Sequence, residues 1–117
     1  MDEQSGRTNG QENSVKLVGN LGGDPKVRKA KTGEIYAAFI LGNHLKRPNT
    51  EWIQVMAWGE ELVTTAKELK SGDEVRVEGY IHSWWPGGTL AWRALPSTVV
   101  NAEVLRLIQP KAAPQDN

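Results

Sequence analysis

The sequence predicts an all-β barrel with one short helix set into it, on three observations. Several short runs alternate apolar and polar residues and are separated by Gly-, Pro- and Asn-containing turns, the mark of strands joined by tight connections. Only residues 60–70 carry apolar residues at helical spacing. One alternating run, Thr50-Glu51-Trp52-Ile53-Gln54-Val55-Met56-Ala57-Trp58-Gly59, has an indole near each end.

The 117 residues form one domain, long enough to bury a core without staples. Fourteen Lys and Arg balance fourteen Asp and Glu, so no global field attracts a polyanion. The charge is nevertheless segregated. Residues 13–50 hold seven cations (Lys16, Lys26, Arg28, Lys29, Lys31, Lys46, Arg47) and two anions, whereas residues 51–80 hold seven anions and three cations. With no cysteine, disulfides, thiolate chemistry and Cys-ligated metals are all excluded, which fits a reducing compartment. No apolar run resembles a signal peptide or reaches the eighteen or so residues of a membrane span, so a cytoplasmic location with no membrane partner is expected.

In chain order, residues 1–12 have no apolar residue after Met1 and read as a disordered tail. The domain is expected over 13–108. Residues 14–21 read as a first strand, with a bend at Gly22-Gly23-Asp24-Pro25, after which residues 26–31 either extend the strand or form a basic arm. A turn at Lys31-Thr32-Gly33-Glu34 leads to a second strand over 34–43 with Ile35, Ala37, Phe39 and Leu41 on one side. The loop 44–49 enters the Trp52 strand, which Gly59 closes. A helix over 60–70 follows, with Leu62, Ala66 and Leu69 on one face and Ser71-Gly72 as its stop. Residues 73–83 alternate again, with Val75, Val77 and Ile81 inward and Gly79 where a curving strand needs no Cβ. Residues 84–93 make a hairpin arm about Pro86-Gly87-Gly88, residues 98–108 the last strand, and 109–117 a short disordered tail. Five strands with one helix between the third and fourth is the order of the OB-fold, a Greek-key barrel.

Parity sets the chemistry of the third strand. Ile53, Val55 and Ala57 share one face, and Trp52, Gln54, Met56 and Trp58 the other. Six residues of strand separate the indoles by roughly 20 Å, so they form two platforms and not one stack. Rings at intervals beside cations suit single-stranded nucleic acid, because bases stack on the rings while Lys and Arg hold phosphates. Burial of both indoles in a strand covered on both faces is the alternative.

Three blocks carry a resemblance: Asn13-Ser14-Val15-Lys16-Leu17-Val18-Gly19-Asn20-Leu21-Gly22-Gly23-Asp24-Pro25-Lys26-Val27-Arg28, with Thr32-Gly33 after it; residues 50–59; and residues 69–79. Together they resemble bacterial-type single-stranded DNA-binding proteins. The resemblance implies an OB-fold homo-oligomer, usually a tetramer with a dimer as the alternative, that binds and protects single-stranded DNA without sequence preference in replication, recombination or repair. It places Trp52 and Trp58 on the family's stacking aromatics and Arg28 near the DNA path. Trp84 and Trp85 lie close to a further family aromatic without matching it. The sequence departs from the pattern at Arg47, where many relatives have another tryptophan, so that a platform is absent or moved to Trp84, Trp85 or Trp92. The sequence ends at Ala113-Pro114-Gln115-Asp116-Asn117, so recruitment of repair proteins through the acidic, hydrophobic tip common in the family is not expected of these residues, whether they are a truncated piece or a naturally tail-less form.

The candidate DNA-binding residues are therefore Trp52, Trp58, Trp84 and Trp85 for stacking, and Lys26, Arg28, Lys29, Lys31, Lys46 and Arg47 for phosphates. Lysines also guard strand edges, and tryptophans also fill subunit interfaces. Neither His44 nor His82 has a partner at ligand spacing, so no metal or cofactor is expected. Nucleotide, zinc-protease and nucleophile-elbow motifs are missing, and Glu60-Glu61 suits a helix first turn, so no catalysis is expected. The rival functions are an OB-fold protein-interaction module of primosome type and a single-stranded RNA binder.

Overall fold

The structure, a computed structural model, describes residues 10–85 and 96–111. Within them lie β1 (Val15–Leu21), β2 (Lys26–Lys29), β3 (Ile35–Asn43), β4 (Glu51–Trp58), α1 (Glu60–Lys67), β5 (Glu74–Trp84) and β6 (Ser97–Gln109). The strands join in the order β1-β5-β6-β4-β3-β2, and a further β1–β3 pairing brings the two ends of the sheet together. All ladders are antiparallel except β4–β6, which runs parallel at Val55↔Val100 and Met56↔Asn101.

Six strands appear where five are expected because the first is bent. Asn20 and Leu21 of β1 pair with Gly42 and Leu41, the chain turns at residues 22–25, and β2 then pairs with the earlier half of β3. Gly22 N–H donates to Ile40 O at 2.8 Å, which pins that bend onto β3. β1 and β2 thus act as two halves of one long barrel strand. The expected OB-fold barrel with one helix between the Trp52 strand and the next is what forms.

Alternation fills the interior. Ala37, Phe39 and Leu41 of β3, Val55 and Ala57 of β4, and Val75 and Val77 of β5 are all buried. The helix closes one end with Val63 and Ala66 buried and Leu62 partly covered. It ends at Lys67, three residues before the expected stop, yet Leu69 stays in the core. The buried Asp73 carboxylate organises this exit by accepting the Lys70 N–H and the Lys111 N–H, each at 2.9 Å. Both oxygens are satisfied, as a buried polar group requires.

Gly79 has the role its position suggests. A Cβ there would fall 1.9 Å from Asn101 O, at a bulge where β5 and β6 shift register. Ile81 departs from expectation. It keeps inward parity but is 51% exposed, because β1 stops pairing at Val15↔Gly79 while β5 and β6 continue outward as an arm. With no strand beyond, Asn13 covers the edge: its side chain accepts from Ile81 N and donates to Ile81 O, both at 2.8 Å.

Candidate nucleic-acid interface

The outer face of β3 and β4 is set by an uninterrupted register. Tyr36↔Trp58, Ala38↔Met56, Ile40↔Gln54 and Gly42↔Trp52 are direct pairs, and paired residues share a face. The two indoles therefore stand at opposite ends of one outward surface, with Ala38, Met56, Ile40 and Gln54 between them. Trp58 packs against Tyr36, ring centroids 4.5 Å apart and planes tilted by 37°. Trp52, directly opposite Gly42, is 61% exposed.

The edge strand β2 sorts the predicted cations. Lys26 is opposite Ala38 and Arg28 opposite Tyr36, so both leave by the aromatic face. Val27 and Lys29, opposite Ala37 and Ile35, leave by the other, and the register does not bring Lys29 to the tryptophans. Lys31 lies in the β2–β3 turn beyond the Trp58 end, and Lys46 and Arg47 in the β3–β4 turn beyond the Trp52 end. Positive side chains thus bracket the face at both ends and along one edge. In the β3–β4 turn His44 Nδ1 is 3.0 Å from Thr50 Oγ1, an ordinary structural contact.

On the far side the β5–β6 arm rises as a wall. Met56 pairs with Asn101, Asn101 with Tyr80, and Trp84 with Ser97, which carries the outward face from β4 onto the arm. His82 and Trp84 stack, centroids 5.8 Å apart. Between this wall and β2–β4 lies a groove of about 980 Å³, reached by Lys26, Tyr36, Met56, Trp58, His82 and Trp84. Trp84 is 42% and Trp85 53% exposed. Trp92 and the Pro-Gly-Gly turn lie outside the described residues.

Two residues of this face are not among those the sequence singles out for binding. Tyr36 has outward parity on its strand, which the sequence shows, but its contact with Trp58 needs the register. His82 reads in the sequence only as a lone histidine with no partner at ligand spacing, and its place here is beside an indole.

Residues 12–84 match the Single-strand binding protein family. The chain belongs to that family. It is also 34% identical, over an 84-residue alignment, to Single-stranded DNA-binding protein 1 of Chlorobaculum tepidum; the match covers 62% of this chain and 51% of that protein. The chain therefore spans about half the length of this relative. All the paired strands of the outward face except β6 lie inside the family match. Among the described residues no group of three or more His, Cys, Asp or Glu could hold a metal ion, and no helix is long and apolar enough to cross a membrane.

Proposed function

We propose that this chain binds single-stranded DNA without sequence preference, stacking bases on Trp52 and Trp58 while Lys26 and Arg28 follow the phosphates. The observation that carries this reading is the shared face: two indoles and two edge cations leave one solvent-facing sheet surface, in a chain belonging to the family. Stacking tolerates any base because every base has a π-face. The groove gives a strand room to pass between Trp58 and the arm, where Trp84 offers a further ring; Trp52 stands beyond the groove on the same face, and exposed Trp85 follows Trp84 at the end of β5. Lys31, Lys46 and Arg47 continue the phosphate path at the two ends, and Lys29 has the weakest case.

The chain acts as a binding protein with no catalytic role, metal or cofactor. It protects exposed DNA strands in the cytoplasm during replication, recombination or repair, as a homo-oligomer, with a tetramer favoured. A single OB-fold domain over about residues 13–108 carries the binding.

A tryptophan-fluorescence titration tests this reading. Oligo-dT is expected to quench strongly and duplex DNA weakly, with quenching that declines as salt rises. A folded protein whose fluorescence responds to no nucleic acid would contradict the proposal and favour an interaction module; equal or stronger quenching by single-stranded RNA would move the assignment to RNA.

A further inference from the structure

Trp52 is the second residue of β4 and stands on the open face, 61% exposed. What lies under it is backbone. A Cβ built at Gly42 would meet Trp52 Cζ3 at 2.8 Å, Cη2 at 3.1 Å and Cε3 at 3.3 Å, and these are the three atoms nearest to it. A Cβ at Gly22 would meet Cζ3 of the same ring at 3.0 Å and Cε3 at 3.6 Å. Carbon atoms in favourable contact stay about 3.5–4.0 Å apart, so a methyl at Gly42 and this ring position exclude each other.

Two segments thus contribute one glycine each beneath one six-membered ring. Gly42 comes from β3, directly opposite Trp52, and Gly22 from the bend after β1, held to β3 by its N–H to Ile40 O. Backbone conformation does not call for glycine at either place: the positive-φ glycines among the described residues are Gly10, Gly33, Gly59 and Gly72. No bulge calls for it either, since the β3–β4 register runs unbroken from Tyr36↔Trp58 to Asn43↔Glu51. The remaining requirement is space for the indole.

We infer that Gly42 and Gly22 are positioning residues that form a side-chain-free floor for Trp52, laying its ring against the sheet with the other side open to a base. The inference rests on the stacking role proposed above. A ring seated before binding has already lost rotamer freedom during folding, so less is lost when a base arrives. Because the clash is with an exposed side chain and not with backbone, alanine at Gly42 displaces the ring and leaves the barrel intact.

The test combines Gly42→Ala and Gly22→Ala, each alone and with Trp52→Ala, with Tm, oligo-dT affinity and the NMR shifts of the Gly22 and Gly42 α-protons. In the native chain the indole ring current is expected to shift these α-protons upfield, and Trp52→Ala to abolish the shift. Gly42→Ala should relax the shift at Gly22, keep Tm, and cost several-fold in affinity, with no further loss on the Trp52→Ala background. Ordinary α-proton shifts in the native chain would overturn the floor. So would native affinity in both glycine variants while Trp52→Ala alone weakens binding, or an equal loss with and without Trp52. If the ring-current shifts behave as expected while Trp52→Ala binds oligo-dT as tightly as the native chain, the floor stands and the stacking reading fails.

Discussion

Trp52 and Trp58 leave the same face of the same strand, yet they are held in different ways. Trp58 is half-buried and leans on the Tyr36 ring, beside Lys26, Arg28 and the wall of the arm. Trp52 stands at the other end, far more exposed, over backbone that lacks side chains. One platform is steadied by an added ring and the other by removed side chains. The contrast teaches that an exposed flat ring can be seated by what is absent beneath it, and, on the proposed stacking role, the two ends should respond differently to substitution.

The largest effect should come from removing both platforms. Each stacked base contributes about 1–3 kcal/mol, so Trp52→Ala with Trp58→Ala should weaken oligo-dT binding by roughly a hundredfold or more, measured by fluorescence anisotropy of a labelled oligonucleotide. Trp52→Ala alone should cost roughly tenfold or more. A smaller loss separates the two supports: Tyr36→Ala removes an aromatic pair of about 0.5–1.5 kcal/mol, and should weaken binding only while Trp58 is present. Affinity in the Trp58→Ala background checks this.

Charge should show mainly as salt dependence. Replacing Lys26 and Arg28 by Gln should reduce the slope of log affinity against log salt by about 0.7 for each phosphate that no longer meets a cation, whereas Lys29→Gln should change it less. The smallest effect on binding belongs to the part of β5 that pairs with β1, where Arg76 Nε donates to Glu78 Oε2 at 2.7 Å and holds that carboxyl below the usual glutamate range. A lowered carboxyl pKa stabilises the fold above the unfolded-state value and loses that contribution as pH falls through the folded-state value. Arg76→Gln should therefore raise the Glu78 midpoint in an NMR titration, reduce the pH dependence of stability in the acid range, and leave oligo-dT affinity unchanged.

Much of the face was legible because strand parity needs no register. The Trp52/Trp58 side of β4, the inward set of β3, the single helix and the glycine beside the β5–β6 bulge all follow from strand alternation, helical spacing and local turn chemistry. What depended on pairing between strands was not legible. The four-residue bend at 22–25 decides that Lys26 and Arg28 face the tryptophans and Lys29 does not. Tyr36 meets Trp58, and Gly42 meets Trp52, only because the turn from β3 to β4 sets that alignment. Ile81 has the inward parity of a core residue, but β5 outruns its partner β1 and leaves it uncovered. Helix length was overestimated because Leu69 keeps the periodic pattern after the backbone has left the helix.

The most direct measurement follows the indole Nε1–H resonances of the five tryptophans while oligo-dT is added, with assignments from Trp52→Phe and Trp58→Phe. The account predicts large shifts for both Trp52 and Trp58 that saturate at the stoichiometry of binding. Tight binding with both resonances unmoved would place the DNA elsewhere on the barrel and contradict it.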